Sequence, residues 1–322
     1  MDMRALRRTI DWRRQMALAH EQTARKLRPA ALRSSCPACD GTAHTPFVEI
    51  YGFVYHECGA CGHLFLANPP SSEDIAALYR GATVQSRVYV GEELFQRRVE
   101  QIARPKVAFC AEHLAPGGVW FDVGCGTGEL LSVVQALGWE PRGCEADAAH
   151  VQFARARGLE VLEGYVDAPP QELAPGVRVL SALNLLEHVP EPKHWLVRMT
   201  APLAAGAHVV VEVPRHPSLS SFSNLIHPEL ACRHIYPPDH MHIFTEASLE
   251  RVLAAAGLAA RAVWVFGQDF QELVYTSAAQ AGLGESAFFH RVVDAGPAIQ
   301  QAIDAQDLCD VLFVIAEKRP AA

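Results

Sequence analysis

Three groups of residues in this 322-residue chain have types and spacings that can do chemistry. The first lies in residues 119–131, VWFDVGCGTGELL. An apolar run carries the acid Asp122. Gly124, Gly126 and Gly128 follow in G-x-G-x-G spacing, and Leu130 and Leu131 open a helix. Glycines let a backbone turn sharply and let a ligand approach with no Cβ in the way. The helix that follows offers unpaired N–H groups at its positive end. A second acid, Glu145, comes 23 residues after Asp122. An acid at about that distance sits at the tip of the second strand and can bind a pair of ribose hydroxyls. The pattern is not a G-x-G-x-x-G dinucleotide turn, and no Lys-Ser/Thr follows Gly128 to make a phosphate-cradling loop.

The second group is a cysteine quartet. Cys36 and Cys39 form one C-x-x-C pair, Cys58 and Cys61 another, with 18 residues between the pairs. Two such knuckles around a hairpin match a tetrahedral Zn²⁺ site, and four thiolates leave no open position for chemistry, so the role read from them is structural. The third group is a set of histidines. His188 follows the fourth strand of the pattern below. His240 and His242 lie in a Pro- and His-rich connection with Tyr236 and Asp239. Histidine suits proton transfer near neutral pH. His188 reads equally as a turn or packing residue, and Asp239-His240 equally as a structural turn. In an extended segment His242 would share a face with His240.

The elements that must position these residues follow from periodicity and punctuation. Residues 3–28 lack Pro and Gly and read as one helix stopped by Pro29. Residues 46–56 read as strands between the knuckles. A short helix over 73–79 is capped by Ser71 or Ser72. A loop over 80–90 with Tyr79 and Tyr89 comes next, and then a helical region over 92–114 that Pro105 breaks or bends. From Val119 strands and helices alternate. Strands are expected at 119–123, 140–144, 160–163, 177–183 and 207–213, with a loop at 164–176. Further strands are expected at 260–266 and 310–317, with helices between the strands and a helical insertion at 267–306. This alternation predicts an α/β fold with a parallel, Rossmann-like sheet. Residues 214–245 leave the ligand edge of that sheet. A connection this long reads as a lid. The division expected is a basic N-terminal helix (1–33), a zinc-binding module (34–70), a helical connector (71–115) and a main domain (116–322) with its lid insertion at 214–245.

Composition bounds the function. Half the residues are hydrophobic, which excludes disorder throughout. No apolar run approaches ~18 residues, so no membrane-spanning helix is expected. The N-terminal arginines have no apolar stretch behind them, so the start is not read as a signal peptide. With a metal quartet and scattered thiols, the chain reads as cytoplasmic. Residues 1–33 hold nine Lys/Arg against three Asp/Glu, or +6, so a net −8 leaves the remainder at −14. An acidic body disfavours nucleic acid as a partner. The basic helix could meet an acidic protein partner, although packing on its own chain is the simpler use of such a helix.

FDVGCGTG resembles motif I of class I S-adenosylmethionine-dependent methyltransferases, and Asn184-Leu185-Leu186-Glu187-His188-Val189-Pro190 resembles their post-strand-four motif. The resemblance covers roughly residues 116–318. It implies a seven-stranded sheet whose last strand is antiparallel between strands five and six. It also implies a cofactor site of Asp122, Gly124, Cys125, Gly126, Gly128, Glu145, Ala146 and Asn184, with Glu145 on the ribose. Narrower features are similar to deoxysugar C-methyltransferases: the knuckles, a tyrosine-bearing helix, His188, and a lid with Tyr236 and Asp239-His240. That arrangement implies His240 as base, with Tyr236, His188 and Tyr79 nearby. This chain lacks the C-terminal domain of those enzymes, and its lid carries Pro237-Pro238.

The reading expected is a transferase using S-adenosylmethionine and structural Zn²⁺. It methylates carbon or oxygen of a small molecule, a sugar or secondary metabolite, with a histidine base. One alternative is a nucleic-acid methyltransferase, disfavoured by the acidic body and by the lack of an Asn/Asp-Pro-Pro-Tyr motif. The other is a non-catalytic partner-binding protein of the same fold, which the intact Asp122, glycines and Glu145 argue against.

Overall fold

The computed structural model describes residues 9–80, 90–164, 173 and 176–320, without the side chains at 79 and 80. The expected beginning of the first helix, the loop with the Tyr79 and Tyr89 side chains, and most of the loop expected at 164–176 lie outside the described residues.

The N-terminal part carries β1 (His44–Ile50), β2 (Phe53–Cys58) and β3 (Leu64–Leu66). The main part carries β4 (Val119–Val123), β5 (Glu140–Glu145), β6 (Glu160–Glu163), β7 (Val177–Leu183) and β8 (His208–Pro214). Then come β9 (His242–Ile243), β10 (Leu258–Phe266) and β11 (Val311–Lys318). Seven of these form one sheet in the order β10-β11-β8-β7-β4-β5-β6. β4 runs parallel to β5 and β7, and β11 pairs antiparallel with both β8 and β10. This is the order and the reversed last strand that the resemblance implied. β4 is buried at all five positions, as a central strand covered on both faces must be.

The helical region after residue 91 runs through Pro105 without a break. Glu92–Arg98 and Arg104–Ala111 are α-helical, and Val99–Ala103 between them is a π turn. Pro105 falls in the first turn of the second stretch, where a missing N–H costs little. The expected insertion resolves into helices Asp269–Gln280, Ala287–Asp294 and Gly296–Ala305. The N-terminal helix, described over Ile10–Ala24, packs on Asp269–Gln280.

β9 does not join the large sheet. It pairs with β3 and completes a second sheet, β1-β2-β3-β9. Ile235, Met241 and Ile243 share a core with Phe53, Tyr55, Leu64 and Leu66 of the cysteine-bearing hairpins. Full burial of such a side chain is worth ~1.5–3 kcal/mol. Thr245 adds a polar tie, its hydroxyl donating to the Cys61 carbonyl at 2.6 Å. Residues 214–245, expected as a lid, thus carry a buried strand and are anchored to the cysteine module.

Candidate active site

The glycine turn after β4 is shaped by hydrogen bonds on both sides. The amides of Gly124 and Cys125 donate to the Cys144 carbonyl at 2.9 and 3.1 Å. Glu145, at the tip of β5, accepts from the Gly126 amide with one carboxylate oxygen and from the Asp147 amide with the other, both at 2.9 Å. Gly124 and Gly126 both take positive φ, +72° and +55°. Gly128 takes positive φ as well, +89°, and a Cβ there would also lie 2.4 Å from Leu159 Cδ1. Asp122 is buried, and Trp120, Ser181 and Asp122 form a chain. The indole N–H donates to Ser181 Oγ at 2.8 Å, and that hydroxyl donates to Asp122 Oδ1 at 2.5 Å. Burial pushes the Asp122 carboxyl up to about 7 against the opposing pull of Ser181.

A cavity of about 520 Å³ opens on this turn. Of the residues expected around a cofactor, Asp122, Gly124, Cys125, Gly126 and Asn184 line it; Gly128, Glu145 and Ala146 do not. Sequence reasoning missed the charged pairs that line it as well. Arg98 Nε donates to Glu129 Oε1 at 2.5 Å. Lys106 Nζ meets Glu212 at 2.6 Å, and Asn184 Nδ2 donates to the same carboxylate at 2.9 Å. An acid inside the apolar run of β8, HVVVEVP, was the available signal for Glu212.

The opposite wall is assembled from distant segments. Trp12, Arg13 and Met16 come from the N-terminal helix, and Glu272 from Asp269–Gln280. Arg13 reaches Glu272 through two hydrogen bonds, 2.8 and 2.7 Å, both side chains buried. The basic helix, expected as a candidate for an acidic partner, thus has an acid for Arg13 inside its own chain. Beside this pair, Arg233 holds Asp310 at 3.0 and 3.1 Å, and His234 Nε2 lies 2.8 Å from the same carboxylate. Burial alone would raise Asp310, but Arg233, His234 and Ser220 hold it well below the usual carboxylate range.

His188, His240 and Tyr236 all line the cavity. His188 Nδ1 lies 2.9 Å from the Asp239 carbonyl, and His240 Nδ1 lies 2.9 Å from the His234 carbonyl. A carbonyl only accepts, so both rings carry their proton on Nδ1 and their lone pair on Nε2. The rings meet edge to face with centroids 4.6 Å apart, and Tyr236 lies against His240 at 4.0 Å. Burial pushes His188 down to about 4, and burial with the neighbouring histidines pushes His240 well below its ordinary value, so both are neutral. Asp239 contributes its backbone carbonyl to His188, and its own carboxyl is pushed up to about 7 by burial. His242 does not join this cluster. It bonds His63 at 3.1 Å and the Val189 carbonyl at 3.0 Å. The alternation that would pair it with His240 fails because His240 sits in the turn before β9 begins.

The four cysteines come together away from this cavity. Cys36 and Cys61 Sγ are 3.8 Å apart, Cys39 and Cys58 Sγ 3.6 Å, and all four lie within 4.8 Å of one another. Tetrahedral thiolates at ~2.3 Å from a zinc ion would be separated by about 3.8 Å. Backbone amides of Ala38 and Cys39 point at Cys36, that of Gly41 at Cys39 and that of His63 at Cys61, which favours thiolate there.

A seven-stranded sheet with its last strand reversed, and a glycine turn at the end of its central strand, define a class I methyltransferase. A family model described as a methyltransferase domain matches residues 95–263, more than half of the chain, and the protein belongs to that family. The chain is 36% identical over 98 residues to a ubiquinone biosynthesis O-methyltransferase of Alkalilimnicola ehrlichii, covering 28% of this chain and 38% of that protein. It is 32% identical over 96 residues to the enzyme of the same description from Cupriavidus pinatubonensis, covering 28% and 39%. The matches therefore span under two fifths of these relatives. Among solved structures, magnesium protoporphyrin IX methyltransferase from Synechocystis PCC 6803 shares 10% identity at a TM-score of 0.48, covering 77% of this chain and all of that one. A Burkholderia thailandensis 1,6-didemethyltoxoflavin N1-methyltransferase shares 17% at 0.47, covering 85% and 99%.

Proposed function

We propose that the protein methylates an oxygen or carbon of a small acceptor held in the cavity between the glycine turn and the Ile10–Ala24 helix, with the His188 and His240 pair receiving the acceptor's proton. The observation that carries this is the pair itself: two imidazoles at one cavity, both with Nδ1 spent on a backbone carbonyl. In each ring the basic nitrogen is therefore Nε2. The name of the sequence relatives favours oxygen as the atom methylated. Trp12, Tyr236, Trp264 and Phe266 on the lining favour a flat acceptor.

The residues present suit the cofactor. Asp122, Gly124, Cys125, Gly126 and Asn184 would hold it along the turn, and Glu145 would take the ribose. A carboxylate has about four acceptor sites; the Gly126 and Asp147 amides use two, which leaves room for two hydroxyls. When bound, the cofactor supplies a methyl group on a sulfonium. The chain's part is to hold the acceptor in line, which is worth several kcal/mol, to exclude water, and to take the proton at Nε2. Cys36, Cys39, Cys58 and Cys61 would hold a structural Zn²⁺ that keeps the 235–243 segment, and so His240, in place.

Single-turnover methyl transfer to a panel of phenols, enols and sugars tests the reading. His240→Ala is expected to lower the rate by ~10²–10⁴-fold with cofactor affinity unchanged; if the base is His188, the loss moves to His188→Ala. Near-normal rates in both variants would remove the histidine base.

A further inference from the structure

Two buried polar atoms on the acceptor side of the cavity are left unspent. His234 is 4% exposed and lines the cavity. Its Nε2 lies 2.8 Å from Asp310 Oδ2. Arg233 and Ser220 help to keep that carboxylate charged, and a charged carboxylate only accepts, so Nε2 carries the ring proton. Arg233 Nε is 3.2 Å from the same nitrogen, but its one hydrogen goes to the carboxylate at 3.0 Å. The neutral ring therefore has its lone pair on Nδ1, the reverse of His188 and His240. That Nδ1 is buried and has no hydrogen-bond partner among the described residues. Arg13, 2% exposed, lines the same cavity. Its two terminal nitrogens are taken by Glu272, and Nη1 also lies 3.2 Å from Cys232 Sγ. Its Nε–H is buried and likewise has no partner among the described residues.

A buried donor or acceptor left unmade is costly, and a ligand that completes it recovers the cost. Asp310 does not line the cavity, so the ring spends one nitrogen away from the ligand and offers it the other. We infer that His234 Nδ1 and Arg13 Nε–H form a second polar subsite of the cavity, which recognises a hydroxyl of the acceptor other than the atom methylated. A hydroxyl answers both atoms, because it can donate to a lone pair and accept from an N–H. Charge favours it over a carboxylate or a phosphate. Arg13 with Glu272 and Arg233 with Asp310 cancel, and the two buried carboxylates would oppose an anion. The ion pairs then have a use beyond stability. They hold both side chains in place, so that a ligand without the hydroxyl leaves two buried polar atoms unpaired, which is how a site rejects an analogue that lacks one group. The His234 carbonyl also holds His240, so recognition of this hydroxyl and the placing of the proposed base meet in one residue. The subsite rests on the reading that the acceptor occupies this cavity.

The test is calorimetry of the full chain saturated with S-adenosylhomocysteine, using naphthol and a set of dihydroxynaphthalenes that differ only in where the second hydroxyl lies. The expected result is that at least one diol binds on the order of 10-fold more tightly than naphthol. His234→Phe should abolish that preference while affinity for naphthol itself stays within about threefold. Arg13→Lys, which keeps a cation for Glu272 but lacks the Nε–H, should lose part of it. A second hydroxyl that gains no more than about twofold at any position, or a preference that survives in His234→Phe, overturns the subsite. If His234→Phe does not fold, nitrogen NMR of the unaltered protein with labelled histidines decides. A His234 ring bare at Nδ1, whose Nδ1 signal moves when the diol binds, supports the subsite. A ring protonated at Nδ1 alone, or a signal that the diol leaves unmoved, overturns it. Binding needs no turnover, so a hydroxyl preference without methyl transfer to any acceptor would count against the methyl-transfer reading only. Methyl transfer without the preference would overturn the subsite and leave that reading standing.

Discussion

The two walls of the cavity are built by opposite means. The cofactor wall is short in sequence and made largely of backbone: a strand end, three glycines and a helix start within residues 119–131. Its hydrogen bonds run to the neighbouring strand through the Cys144 carbonyl and Glu145. The acceptor wall is made of side chains from segments far apart in the chain, and buried ion pairs tie it across spans such as Arg13 to Glu272. Backbone geometry tolerates changes of side chain; a wall of mutually paired charges does not. The first wall therefore suits what is common to a class of enzymes, and the second suits what distinguishes one enzyme within it.

The sharpest way to break this comparison is to remove the Zn²⁺ proposed for the cysteine quartet. Metal-binding energy is folding energy in a module of this size, and β3 holds β9 just beyond His240. Chelation, or Cys36→Ser, should lower methyl transfer by ~10²–10⁴-fold through displacement of that histidine. Affinity for S-adenosylhomocysteine should stay within about twofold, since the sites are separate. Calorimetry showing cofactor affinity falling in step with the rate would mean that the two walls are one.

A second effect concerns the ion pair. Arg13→Met leaves Glu272 charged and buried, a change that costs ~3–5 kcal/mol. Arg13→Met with Glu272→Leu should recover most of it, because a buried pair replaced by packed apolar groups is often neutral. Urea unfolding of the three proteins measures this, and a single-variant cost under about 1 kcal/mol would show that the pair is solvated.

The smallest effect belongs to the cofactor wall. Glu145→Ala should weaken cofactor binding by ~10–100-fold, the worth of a charge-assisted hydrogen bond of ~1.5–3 kcal/mol, and should leave kcat at saturating cofactor near normal. Wild-type affinity in calorimetry would take Glu145 out of the site.

The same contrast decides what could be read from the amino-acid sequence. The alternation of strands and helices, the glycine turn and the cysteine quartet rest on local spacing, and the structure contains each of them, whereas the place of the last strand came from the family resemblance and not from spacing. The acceptor wall has no such local mark. Arg13 lies on a helix whose apolar positions already suggested a packed face, yet nothing nearby names Glu272, 259 positions away. Asp310 and Glu212 were visible only as acids beside apolar strand residues. His242 misled because alternation holds within a strand, and the turn at His240 lies outside β9.

The pairing of β3 with β9 also sets an order of events during synthesis. Leu64 pairs with Ile243, 179 positions later in the chain. At ~5–20 residues per second, about 10–35 seconds separate the two as they leave the ribosome. Through that interval the cysteine hairpins have an open strand edge, the kind of edge that recruits foreign strands. Early capture of zinc would shorten the exposure by making the nascent hairpins rigid before their last strand exists. Cells short of zinc would then lose this protein to aggregation while it is being made, before any finished molecule had lost its metal.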